Sequence, residues 1–123
     1  MKTKAAILLV NRNQRNLELL AEFLGKGGYA LSTASSLEEF DQALAEENDV
    51  GVALVDITGF DQSIWERCEQ LRSRKKPFLV VSPRQSAAIQ QASLSHGAKG
   101  VMIKPLVVQE LMGLVKSMLE EQE

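Results

Sequence analysis

Four apolar runs in this chain end on groups that could do chemistry. Val50-Gly-Val-Ala-Leu-Val55 closes on Asp56, and Ala5-Ala-Ile-Leu-Leu-Val10 runs into Asn11 and Arg12. Pro77-Phe-Leu-Val-Val81 ends at Ser82, and Gly100-Val-Met-Ile103 ends at Lys104-Pro105. A carboxylate at the end of a buried run is costly unless it meets water, a cation or a ligand. Arg12, Ser82 and Lys104 together offer a guanidinium, a hydroxyl and an ammonium, a set that could hold a small anion. The first run is followed by an amide and a guanidinium and by no carboxylate, so Asp56 has no acidic companion there.

The elements that must position these groups follow from the hydrophobic pattern. Short β-branched runs alternate five times with segments of helical spacing, the signature of a parallel sheet with helices on both faces. In such sheets ligand sites lie beyond the carboxyl ends of the strands, where all four groups fall. Strands are expected near residues 5–10, 29–33, 51–55, 78–82 and 100–103. Leu17, Leu20, Ala21 and Leu24 keep helical spacing after the first strand, and the stretch Gly25 to Gly28 ends that helix. Ser36-Leu-Glu-Glu39 reads as a capping box in which Glu39 reaches back to the serine's amide. Ile64, Cys68 and Leu71 mark a third helix, and a polar fourth helix near 86–95 ends before Gly97. The last helix carries Val108, Leu111, Met112, Val115 and Leu119, with a second apolar stripe at Val107, Leu114 and Met118. That stripe is either a wide buried face or a partner surface.

Composition narrows the class. A chain of 123 residues is long enough for one domain with a proper core, so residues 1–123 are read as a single domain. A net charge of -2 gives no electrostatic reason to expect nucleic acid or an anionic membrane as a partner. No run reaches membrane-spanning length, and the lone Cys68 cannot form an internal disulfide, so a soluble, cytoplasmic protein is expected. Cys68 falls at core spacing as a small hydrophobe, and His96, at a helix end, suits the helix dipole.

The set Ile7-Leu-Leu-Val10, Leu54-Val-Asp56, Val80-Val-Ser82, and Gly97-Ala-Lys-Gly100 leading to Lys104-Pro105 resembles the receiver domain of bacterial response regulators over nearly the whole chain. The resemblance implies a flavodoxin-like (βα)5 doubly wound sheet in strand order 2-1-3-4-5. It also implies phosphotransfer from a histidine kinase to Asp56, with Ser82 and Lys104 contacting the phosphoryl oxygens. The family's acidic pair, which helps hold Mg²⁺, is replaced by Asn11 and Arg12. A hard divalent cation wants oxygen ligands, and a guanidinium in that place removes a ligand and adds repulsion. The family's aromatic switch position holds Val101, and Pro83 follows Ser82 where a small residue is usual.

The expectation is therefore an atypical receiver domain in two-component phosphorelay signalling. It would not be an enzyme, would hold no metal or other cofactor beyond weakly bound Mg²⁺, and would work through protein contacts. Its partners would be a histidine kinase or another signalling protein, with a homodimer through Leu114 and Met118 of the last helix, and neither nucleic acid nor membrane. Two other readings fit the same residues. One is a working phosphoacceptor at Asp56 in which Arg12 stands in for the metal. The other is a flavodoxin-like module binding a small anion, against which no Gly-rich phosphate loop follows the first strand.

Overall fold

A computed structural model describes residues 6–46 and 50–120. Its elements run β1 (Ala6–Val10), α1 (Gln14–Gly25), β2 (Ala30–Ala34), α2 (Leu37–Ala45), β3 (Val50–Asp56), α3 (Ile64–Ser73), β4 (Phe78–Ser82), α4 (Ala87–Ser95), β5 (Gly100–Ile103) and α5 (Val108–Glu120). All strand pairs are parallel, in the order β2-β1-β3-β4-β5. This is the expected doubly wound (βα)5 sheet, with strand limits within about a residue of those read from the pattern. Ala5, the expected first strand residue, lies outside the described residues.

The central strands are apolar up to their final residues because both faces are covered. Leu8, Val10, Ala53, Val55 and Val80 point to one side, where Phe40 and Leu44 of α2 and Ile64, Cys68 and Leu71 of α3 close over them. Ile7, Leu9, Val52, Leu54 and Leu79 point to the other, under Leu17 and Leu24 of α1 and Leu111, Val115 and Met118 of α5. Arg67 of α3 grips Asp41 of α2 with two hydrogen bonds of 2.9 Å, tying those helices together. Burial pushes the Cys68 thiol up to about 12, so it is a core group and not a nucleophile.

Caps set the helix limits. Asn13, Ser36 and Ser86 each accept a hydrogen bond from a first-turn amide. Glu39 departs from the expected capping box: it accepts from the Ser35 backbone and hydroxyl, one residue further back than Ser36. Gly97, at φ +104, closes α4 in a left-handed turn over the Arg72 side chain. α4 itself buries only Ser93.

The last helix corrects one expectation. Met118 is 7% exposed and packs in the core, whereas Leu114 is 42% exposed. Leu111, Val115 and Met118 are spaced four and three apart and share one face, so Met118 continues the buried stripe. The open apolar positions are Val107 and Leu114, with Ile103 at the end of β5. Met118→Ala should cost about 2–4 kcal/mol in a urea melt, as buried methionines do. Leu114→Ala should change stability by less than about 0.5 kcal/mol, as exposed positions do.

Candidate functional site

Asp56 is the last residue of β3, and Lys104 follows β5, with β4 between them. Neighbouring strands lie about 4.8 Å apart, so a group joining these two must cross the end of β4. Lys104 does so. Its backbone N–H donates to the Ser82 carbonyl at 2.9 Å, which fixes the start of the side chain. The ammonium then reaches Asp56 Oδ2 at 2.7 Å and donates to Thr58 Oγ1 at 3.0 Å. The Lys104–Pro105 peptide is cis.

Both oxygens of the carboxylate are engaged. Oδ2 also accepts from Asn11 Nδ2 at 3.1 Å, and Oδ1 accepts from the Thr58 backbone N–H at 3.0 Å. The second contact is an Asx turn, which an aspartate makes with the residue two positions on. Asn11 is oriented by a second bond, because its amide oxygen accepts from the Asn13 N–H at 2.8 Å. It therefore presents its NH₂, not its oxygen, to Asp56. With three donors on two oxygens, a carboxylate that is 5% exposed is well compensated.

Arg12 takes a different course. Its stem runs beside Gly59, whose φ of +83 turns the β3–α3 loop, and its guanidinium lies 5.7 Å from the centre of the Phe60 ring. That is a cation–π contact on the loop and not a partner for Asp56. Ser82 is likewise turned to its own loop, donating to the Arg84 carbonyl at 2.7 Å. Val101 packs half-buried against the α2–α3 side of the core. The structure thus gathers Asn11, Asp56 and Lys104, turns Arg12 to Phe60 and the buried Ser82 hydroxyl to Arg84, and adds Thr58. The signal for Thr58 was its place two residues after a strand-ending aspartate.

The groups gathered at the strand ends are one carboxylate, one amide and one ammonium. Among the described residues no three His, Cys, Asp or Glu side chains converge. Asp56 is the one carboxylate among the strand-end groups, its free edge meets an amide NH₂ and an ammonium, and both repel a cation.

The contacts predict a coupling pattern. Asp56→Ala strands the ammonium and the Asn11 amide and should cost about 1–3 kcal/mol in denaturant melts. Adding Lys104→Ala should recover part of that loss, while Arg12→Ala should combine additively with Asp56→Ala, within about 0.5 kcal/mol.

No protein-family model matches the chain. Among curated proteins it is 29% identical over 118 residues to the transcriptional regulatory protein GltR of Pseudomonas aeruginosa, covering 93% of this chain and 48% of that protein. It is 30% identical over 116 residues to the response regulator MprA of Mycobacterium avium, covering 92% and 50%. The chain therefore spans about half the length of the curated relatives it matches. Among solved structures, a CheY-like response regulator receiver domain protein from Methanospirillum hungatei superposes with a TM-score of 0.86 at 26% identity, covering 98% of this chain and 97% of that one. Sequence relatives, a fold shared end to end, and an aspartate and lysine meeting at the strand ends together place this chain among the receiver domains of two-component response regulators.

Proposed function

We propose that this chain is an atypical receiver, one that signals through protein contacts with weak or no Mg²⁺-dependent phosphorylation of Asp56. The observation that carries this reading is the inward NH₂ of Asn11, held by the Asn13 amide, beside the Lys104–Asp56 pair. Phosphoryl transfer relies on positive charge placed around the equatorial oxygens while the nucleophile stays free. Here the nucleophile already carries three donors, the residues in the place of the acidic pair offer no carboxylate to a metal, and the Asn11 amide oxygen is taken up by the Asn13 N–H. Val101 lacks a ring that could change places between core and surface, so the usual report of phosphorylation would have no carrier.

The partners proposed are a histidine kinase or another signalling protein, and a second copy of this chain. The surface proposed for the second copy carries Ile103, Val107 and Leu114, large apolar side chains left open along the β5–α5 segment. Among the described residues no helix is long and apolar enough to cross a membrane.

Two measurements test this reading. Intact-mass analysis after incubation with acetyl phosphate and Mg²⁺ should show little or no phosphoryl adduct, and Asn11→Asp with Arg12→Asp should raise it several-fold by restoring oxygen ligands. A stoichiometric adduct on the unaltered chain would favour the second reading, a working phosphoacceptor. In sedimentation runs, Leu114→Glu should convert a dimer to monomer with its melting point retained. A dimer that survives the substitution would move the interface elsewhere.

A further inference from the structure

A second concentration of charge lies at the opposite end of the sheet. Arg72 from the last turn of α3, Lys75 and Lys76 from the α3–β4 turn and Lys99 from the α4–β5 turn line one cleft of about 480 Å³, together with Pro77 and Met118. Among the described residues no acidic side chain lines it, although the chain as a whole carries a net charge of -2. Its size falls within the roughly 300–1,000 Å³ of small-molecule sites. A concave site with part of its lining apolar suits a compact ligand better than a flat acidic surface.

The Arg72 side chain and the backbone of the α3–β4 turn are held in place. Arg72 lies over Gly97, where a Cβ would come within 2.8 Å of its Cδ, and donates to the Ser95 carbonyl at 3.2 Å. Glu69 approaches the same guanidinium at 3.8 Å from outside the cleft. Lys75 has φ 59, a left-handed conformation that glycine adopts more readily, and the turn is closed by Lys75 N–H to Arg72 O and Lys76 N–H to Leu71 O. The simplest role for these side chains is to offset helix carboxyl ends, three of which gather here. Each such end carries about half a negative charge and Glu69 adds one more, so together they offset fewer than three of the four cations. The excess stays positive.

We propose that this cleft is a second ligand site, for a small molecule carrying two or more phosphate groups. Lys75, Lys76 and Lys99 would supply point charges and Arg72 a planar fork, the two ways side chains hold phosphate oxygens. Pro77 and Met118 would take an apolar or aromatic portion if the ligand has one. The site is independent of Asp56.

Isothermal titration with inorganic pyrophosphate and, separately, with ATP, both without Mg²⁺, tests the proposal. Saturable one-to-one binding is expected. Lys75→Gly with Lys99→Gln should weaken it about tenfold or more through loss of charge-assisted contacts. Glycine suits the backbone at position 75, and a thermal melt checks that the fold is kept; Lys99→Gln alone, at an exposed position, gives the same test at smaller amplitude. Equal affinity for the two probes would support a site that reads phosphates alone, and tighter ATP would support a role for Pro77 and Met118. Absence of saturable binding, affinity unchanged in the double variant, or affinity lost on Arg12→Ala would overturn it.

Discussion

A carboxylate at the closed end of a buried strand must be compensated, and Lys104 meets that demand from two strands away. The contact is as much architectural as chemical. It joins β3 to the β5–α5 connection over the end of β4, and through Thr58 it also holds the β3–α3 loop. Asn11 adds the β1–α1 connection to the same point. Three of the loops at the carboxyl end of the sheet therefore meet on one side chain, and the geometry of that end depends on Asp56 being ionised and occupied.

Arg12 shows how a substitution can alter a site without entering it. An acidic residue in its place could turn toward Asp56 and share a cation with it. A guanidinium gains nothing from approaching Lys104, and it finds a face of Phe60 and the open side of Gly59 instead. Its cation–π contact is worth about 0.5–1 kcal/mol at an exposed position, comparable to what a solvent-exposed ion pair would give. Asn11 then becomes the nearest β1–α1 side chain to Asp56, and it arrives as a donor.

Much of this was legible in the residues. Alternation of apolar runs and helical spacing fixes the layers, and the two-sided burial of β1, β3 and β4 follows from their lack of polar positions before the last residue. Asp56 and Lys104 both end strands, and strand ends of a parallel sheet share one edge. What the chain order hides is the choice among cations. Arg12 follows the strand next to Asp56 and Lys104 lies two strands away, yet the loop conformation around Gly59 draws Arg12 aside and leaves the more distant cation as the partner. The Asn11 orientation is also hidden, since it rests on a hydrogen bond to Asn13 that needs the turn to exist first. Met118 was misjudged for a simpler reason: its phase relative to Leu111 and Val115 puts it inside, and the wide apolar face of α5 obscured that phase.

The occupied state of Asp56 can be watched directly by ¹H–¹⁵N spectra during a Mg²⁺ titration. The side-chain amide of Asn11 and the backbone amide of Thr58 both donate to the carboxylate, one to each oxygen. If Lys104 and these donors fill the site, both signals stay in place through the millimolar range of Mg²⁺. Saturable shifts of both, with the Asn11 amide released from Asp56, would mean that a metal displaces them and that the pocket works as a conventional receiver's does.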